Sequence, residues 1–251
     1  MFLGFRKRQW ALTSLVALAL AACNSGSSVP PVGNGAMAPG APMSATSAMR
    51  ANALSPISLS PGGVNGREGA YTPRKGDYAG GGRGQTVDGV PCVPSMVTNE
   101  YHVHFYLGVI DNGKLIADPT TIGMLDPGPA YGGFTNSAKC YYYIHLHDSS
   151  GTIHVELNRN LPESAVYYRL KTMLDIWGVP HSDSSFGPYS GPVHVFVGNV
   201  PLKQGTVRQY RPYYGNIDDI WIRSHEAIFI EIGNTYYTAD QLPSVTFYTE
   251  Y

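Results

Sequence analysis

A period of two in the segment 101–109 constrains the fold of this chain more than any other feature. Apolar residues occupy its odd positions, and most of its even positions are polar. The apolar residues are Val103, Phe105, Leu107 and Val109. Successive side chains of a β-strand point to opposite faces. The segment therefore predicts a half-buried strand with one core face and one polar face.

Turn sequences predict two β-hairpins. Asp111-Asn112-Gly113 is a strong signal for a tight turn, and Lys114–Ala117 would form the returning strand. Cys140–His147 and Thr152–Leu157 would form the second hairpin, with the turn between them at residues 148–151. Further predicted strands are Val193–Val197, Ala227–Ile232 and Val245–Tyr248.

One helix is predicted between Ser164 and Trp177. Apolar residues repeat there at helical spacing, Gly178 stands at the position that ends a helix, and Pro180 follows. Residues 86–251 are therefore predicted to form one mainly β domain. It would be either a single sandwich or a β-grasp-like sheet with one short helix across it.

The chain before this domain differs in composition. Residues 24–83 contain 12 Gly and 7 Pro, and they have few apolar side chains that could offset the entropy of ordering. We predict that residues 23–85 form a disordered Gly/Pro/Ala/Ser-rich linker, which would tether the domain. An irregular but ordered arm is the alternative.

Residues 1–22 are typical of a signal peptide. Arg6-Lys7-Arg8 precede an uncharged run from Trp10 to Ala22. This run is too short for a transmembrane helix, which needs about 20 residues. Leu20-Ala-Ala-Cys23 resembles the lipobox of bacterial lipoproteins, and the resemblance implies that Cys23 carries acyl chains such as palmitate and anchors the chain to a membrane. Asn24 resembles an outer-membrane sorting signal. An ordinary secretory signal with a chance cysteine is the alternative.

Cys92 and Cys140 are the remaining cysteines. In an exported chain an even pair predicts a disulfide, here closing a loop of about 48 residues. A reactive or metal-binding cysteine pair is the alternative, since Cys140 precedes a predicted strand that carries histidines.

Histidines are concentrated in three strings, His102-x-His104, His145-x-His147 and His154-x-Glu156. The period of two places each pair on the face opposite its apolar neighbours. If the second hairpin has a two-residue turn, His145 faces His154, with their Cβ atoms about 4.5–5.5 Å apart. Should the strand 101–109 lie beside this hairpin, five imidazoles and one carboxylate would meet. These candidate ligands are His102, His104, His145, His147, His154 and Glu156.

Neutral imidazole is the commonest protein ligand for transition metals, and nitrogen-rich sites suit copper and zinc. The cluster therefore predicts a site for one of these ions. Two alternatives stay open: a polar face that contacts a ligand, and a catalytic metal that activates water with Glu156 as base. His181 is predicted to be a solvated loop residue, and His194 and His225 are weaker candidates for the cluster.

The strings Tyr101-His-Val-His104, Cys140–Asp148 and Gly151-Thr-Ile-His154-Val-Glu156 resemble an uncharacterised family of exported bacterial proteins with HxH, HxHD and GxIHxE motifs. The segments 170–178 and 222–233 are similar to later parts of that family's pattern. The chain departs from it at Tyr106, where a third histidine is expected, and at Tyr143, where a tryptophan is expected. The resemblance implies that the histidines act as one unit, and it implies no particular activity.

Composition and missing motifs exclude several classes of function. A net charge of −1 leaves no excess of cations to neutralise phosphates, which excludes a basic nucleic-acid binder. The chain has no Gly-rich phosphate loop, no His-Glu-x-x-His and no Gly-x-Ser-x-Gly. Eighteen tyrosines, among them Tyr213 and Tyr214, favour a second hypothesis, a module that binds glycan or an envelope protein.

Overall fold

The computed structural model describes residues 54–59, 81–96, 100–200 and 205–247, and these residues form a mainly β structure. Its strands, numbered in chain order, are β1 (Cys92–Val93), β2 (Tyr101–Asp111), β3 (Lys114–Ile116), β4 (Met124–Leu125), β5 (Cys140–Tyr142), β6 (Ile144–His145), β7 (Thr152–Leu157), β8 (His181–Ser182), β9 (Ser185–Phe186), β10 (Tyr189–Ser190), β11 (Val193–Asn199), β12 (Gly205–Val207), β13 (Arg211–Tyr213), β14 (Glu226–Ile232) and β15 (Val245–Phe247). One α-helix, α1 (Leu170–Trp177), and a 3-10 helix (Ile217–Asp219) complete the helical structure of these residues. The predicted fold class is confirmed.

The largest sheet has the strand order β13-β11-β14-β2-β7-β6, with β3 paired to the end of β2. Its neighbouring strands are antiparallel except for β14 and β2, which are parallel. Strand β2 therefore lies at the centre of the sheet. The described residues also form three small sheets, with the orders β1-β5-β4, β10-β9-β8 and β12-β15.

The main hydrophobic core lies on one face of this sheet. It contains the odd residues of β2, including Phe105 and Leu107, and the apolar side of α1, including Leu170 and Trp177. All four side chains are at most 1% exposed. The period of two in β2 therefore identified the core face correctly.

The opposite face is also covered, although the alternation predicted a strand that is only half-buried. Tyr106 and Ile110 of β2 pack there in a second core with Phe229 and with apolar residues of the β12-β15 ribbon. Nearly every side chain of β2 is buried as a result. The prediction failed because the alternation shows only which face of the strand is more apolar. It does not show whether other segments of the chain cover the less apolar face.

Part of the predicted linker contacts this second core. Leu54, Ile57 and Leu59 pack against it, and the Tyr237 hydroxyl donates a hydrogen bond of 2.8 Å to the carbonyl of Ser55. Residues 1–53 and 60–80, with the predicted signal peptide and Cys23, lie outside the described residues. In the part of the chain that is described, no helix has the length and apolar character needed to cross a bilayer.

The first predicted hairpin is present between β2 and β3. Asp111 pairs with Lys114, and the two residues between them, Asn112 and Gly113, have φ angles of 46° and 75°. Two successive positive φ values define the turn that best matches the twist of a hairpin. The Asn-Gly sequence is favoured there because these residues tolerate that conformation.

The second predicted hairpin is interrupted. The chain bends at Tyr143, so that β5 joins β1 and β4 while only β6 pairs with β7. His147 lies beyond the end of β6, and its carbonyl accepts a hydrogen bond of 3.0 Å from the Thr135 amide. The predicted strand Cys140–His147 is therefore wrong in extent, because neighbouring loops pair with both ends of it.

Helix α1 begins at Leu170, six residues later than predicted. The chain before it is extended because its backbone pairs with a distant segment: the Ile222 amide donates to Tyr168 O and the Leu170 amide donates to Ile220 O. The predicted end is correct, since Gly178 adopts a left-handed conformation with φ of 77° and its amide donates to Leu174 O.

Cys92 and Cys140 form the predicted disulfide, which joins β1 to β5. We expect the double variant Cys92→Ser, Cys140→Ser to lower the free energy of unfolding by about 4 kcal/mol, since the bond closes a 48-residue loop in the unfolded chain. Urea unfolding would measure this loss. Reduced wild-type protein should match the variant, and a loss below about 1 kcal/mol would contradict the expectation.

Candidate metal centre

The register of three neighbouring strands brings the histidine strings together. On β2 and β7, His104 lies opposite His154 and His102 lies opposite Glu156. On β6 and β7, His145 lies opposite His154, as the hairpin geometry predicted. His154 is therefore flanked on both sides, and the cluster occupies one end of the sheet face whose other end carries the second core.

Three imidazoles form the inner set of the cluster. His154 Nδ1 lies 3.0 Å from His102 Nε2 and 3.1 Å from His104 Nε2, and all three ligand atoms lie within 4.8 Å of one another. Nitrogen ligands about 2.0–2.1 Å from a tetrahedral zinc ion are about 3.3–3.4 Å apart. The inner set thus has separations close to those of ligands around one ion, and it can hold a metal.

His145 and His147 form the outer pair. His145 Nδ1 lies 2.9 Å from Tyr142 O, and His147 Nδ1 lies 2.6 Å from Thr135 O. A carbonyl only accepts hydrogen bonds, so each Nδ1 carries a proton and each Nε2 keeps its lone pair. The two Nε2 atoms are 3.2 Å apart. Metal-binding histidines are commonly held in this way, with the second ring nitrogen bonded to a carbonyl.

The carboxylate of Glu156 lies between the inner set and the outer pair. Its Oε1 is 3.5 Å from His102 Nε2 and 3.9 Å from His145 Nε2. The side chain is only 2% exposed. A buried carboxylate is costly unless cations or hydrogen-bond donors surround it, so its position among imidazoles suits a site that binds a positive ion.

Burial keeps the imidazoles neutral. Desolvation, followed by repulsion from neighbouring histidines, lowers the pKa of His104 and of His145 to about 3. The same causes lower the pKa of His154 strongly, and desolvation also lowers the pKa of His102 and His147. Four of these five rings are buried, so the polar face of the strand that was predicted to be half-buried is covered as well. Neutral rings offer the lone pairs that metal coordination requires.

Segments outside the three histidine strings enclose the site. The sequence analysis did not identify these segments as part of it. Phe134 stacks on His147 with ring centres 4.5 Å apart. The His225 amide donates a hydrogen bond of 2.8 Å to His104 O, although the ring of His225 faces Phe247 and Glu163. No sequence pattern marks these partners, because their positions follow from loop packing.

The two positions at which the chain departs from the pattern that it resembles lie at the margins of the cluster. Tyr106 continues the histidine face of β2, but it packs against Phe229 in the second core, with ring centres 5.4 Å apart. Tyr143 packs against the main core at the bend between β5 and β6. The histidine face of β2 therefore ends at His104.

His181 and His194 belong to a separate open cleft of about 930 Å³. His181 is not simply solvated as predicted, since its Nε2 lies 2.8 Å from Asp218 Oδ1. His194 stacks on Tyr236 with ring centres 3.9 Å apart. Tyr213 also lines this cleft. These two histidines take no part in the cluster on β2, β6 and β7.

Gly123 allows the close approach of the loop before β4 to His145. It has a φ of 76°, and a Cβ added there would clash with Ile144 O and lie 2.9 Å from His145 Cβ. We expect Gly123→Ala to lower the free energy of unfolding by at least about 2 kcal/mol, from backbone strain plus the clash, and to weaken metal binding.

The matched control for this substitution is Gly132→Ala. Gly132 also has a positive φ, 63°, but a Cβ there meets nothing within 4 Å. This control should lose only about 1 kcal/mol and keep its metal affinity. Urea unfolding and metal titration of both variants would check the expectation, which equal losses in the two proteins would contradict.

Comparison with known protein families, curated proteins and solved structures gives no match to this chain.

Proposed function

We propose that this protein is an exported lipoprotein whose β domain binds a divalent transition metal, copper or zinc, through the histidine cluster. Its role would be to sequester the ion, to transfer it, or to use it for structural stability. The proposal combines two kinds of support: the geometry of the cluster, and the lipobox-like sequence that ends at Cys23.

One observation carries the metal proposal. The Nε2 atoms of His145 and His147 lie 3.2 Å apart, and each of them keeps its lone pair. Such lone pairs repel each other unless a proton or a cation lies between them. A proton is disfavoured because burial lowers the pKa of both rings. A metal cation satisfies both nitrogens, and the buried carboxylate of Glu156 offsets its charge.

Elemental analysis of the tag-free mature protein, purified from the cell envelope, tests this proposal. We expect at least one equivalent of copper or zinc, which dialysis against a chelator removes together with part of the thermal stability. Addition of the metal should restore both. A protein that retains no metal and takes up none on titration would overturn the proposal.

The proposed anchor has a separate test. A bacterial host grown with labelled palmitate should incorporate label into the wild-type protein, which should sediment with the outer membrane. The Cys23→Ser variant should lose the label and leave the membrane fraction, because the acyl chains supply the anchor. A variant that stays unlabelled yet membrane-bound would contradict lipid anchoring at this residue.

A second candidate function is favoured by the cleft that His181 and His194 line. Tyr213, Tyr214 and Tyr236 also border it, and Tyr214 is 93% exposed. Exposed aromatic rings beside polar groups are typical of surfaces that bind glycans or protein partners. Under this hypothesis Tyr214→Ala should weaken binding of an envelope glycan or protein, and a chelator should have no effect. Binding lost on chelation would instead favour the metal centre.

A further inference from the structure

We propose that the histidine cluster holds two metal ions, with the carboxylate of Glu156 between them. The inference rests on the proposed metal-binding function and adds the stoichiometry and the division of the ligands. It follows from the number of donors and from the order in which their ligand atoms are spaced.

The six ligand atoms form a continuous series of short separations. His104 Nε2 is 3.1 Å from His154 Nδ1, which is 3.0 Å from His102 Nε2. His102 Nε2 is 3.5 Å from Glu156 Oε1, which is 3.9 Å from His145 Nε2. The last atom of the series, His147 Nε2, lies 3.2 Å from His145 Nε2. Six donors exceed the four that a tetrahedral zinc site or a square-planar copper(II) site uses.

The series divides at Glu156. The inner set, His102, His104 and His154, has three ligand atoms close to one another, and the outer pair has two. Glu156 Oε1 lies within 4 Å of one member of each group. A carboxylate has two oxygens with several lone pairs and can bind two ions at once. Metal ions in two-metal sites lie about 3.5–4 Å apart, a spacing that one carboxylate can bridge.

The two positions differ in the number of their ligands. Three imidazoles and the carboxylate complete a set of four ligands for the inner ion, as in closed structural sites. Two imidazoles and the carboxylate leave the outer ion with an open position. We therefore expect the outer ion to bind more weakly and to be the one that exchanges with a partner or a chelator.

Titration of the metal-free full chain with copper(II) tests this inference. We expect two equivalents to bind in two steps, with the second at least about tenfold weaker, since even the loss of an outer-sphere partner costs about 10–100-fold in affinity. Two copper(II) ions joined by a carboxylate couple magnetically. The electron paramagnetic resonance signal should therefore correspond to fewer than two isolated spins after the second equivalent.

Variants distinguish the two positions. His147→Ala should bind one equivalent with the inner affinity and give the full signal of an isolated spin. His145→Ala should behave in the same way, and circular dichroism would show that both variants fold. If neither variant folds, the stoichiometry and the spin count of the wild type still show whether the cluster holds one ion or two.

The outcomes separate the two proposals. One equivalent in the wild type with a full isolated spin would overturn the two-ion inference and leave the metal-binding function intact. No uptake at all would overturn both.

Discussion

Replacement of His154 by alanine should abolish tight metal binding, with an affinity at least about 100-fold below that of the wild type. Loss of a hydrogen-bond partner of a ligand already costs about 10–100-fold, and a ligand itself is worth more. His154 is also the shared member of the cluster: its Nδ1 contacts His102 and His104, and its ring lies against His145 and His147. Competition with a chromophoric chelator would measure the affinity.

The matched control is His181→Ala, which removes an imidazole from the separate cleft. It should keep the wild-type affinity, because His181 pairs with Asp218 and lies outside the cluster. Far-ultraviolet circular dichroism would confirm that both variants retain the sheet. Wild-type affinity in His154→Ala would contradict the assignment of this residue as a ligand.

Metal affinity should stay nearly constant as the pH falls through the usual range of histidine. The pKa of His104 and of His145 is lowered to about 3, and that of His154 is lowered strongly as well, with desolvation as the main cause. Protons therefore do not compete for these nitrogens near pH 6. We expect less than about a tenfold loss of zinc affinity between pH 7.5 and 5.5, whereas three histidines with pKa of about 6.5 would lose about 1,000-fold.

A synthetic peptide of residues 143–156 is the control for this prediction. It carries His145, His147, His154 and Glu156 without the fold that desolvates them. Its affinity should fall steeply over the same range, as expected for exposed imidazoles. Parallel pH profiles of protein and peptide would show that burial does not keep the rings neutral.

The pH dependence of the free energy of unfolding is a poorer measure of how far burial lowers the pKa of these histidines. Lowered histidine pKa values mean that the folded state binds fewer protons than the unfolded state, so stability falls as the pH drops below about 6.5. Burial acts in the opposite direction on carboxyls. It raises the pKa of Asp118 to about 8 and those of Glu226 and Glu231 to about 7, so the folded state gains protons there. The two contributions oppose each other between about pH 4 and 6.5.

Local features of the fold were predictable because neighbouring residues determine them. The core face of β2 followed from its alternation, and the turn at Asn112-Gly113 followed from residues that tolerate positive φ. The pairing of His145 with His154 followed from counting across a short turn. The disulfide followed from the even pair of cysteines that remains in a chain predicted to be exported. None of these predictions required knowledge of the strand order.

Features that depend on distant segments were not predictable. The parallel pairing of β14 with β2 has no signature in either strand, and the start of α1 depends on hydrogen bonds to residues 220–222. The burial of the cluster and the carbonyls of Thr135 and Tyr142 that fix two of its rings come from loop packing. The sequence therefore identified the ligand side chains but not the groups that keep them neutral and oriented.

All six candidate ligands lie between residues 102 and 156, whereas β14, the parallel neighbour of β2, begins only at Glu226. Strands β2, β6 and β7 are thus near one another in sequence, and contacts of short sequence separation form early in folding. A chain exported from its N-terminus delivers these strands before the other half of the sheet. If the chain is exported and binds a metal as proposed, we expect these strands to capture the ion during translocation, so that the ion acts as a folding nucleus around which the later strands assemble.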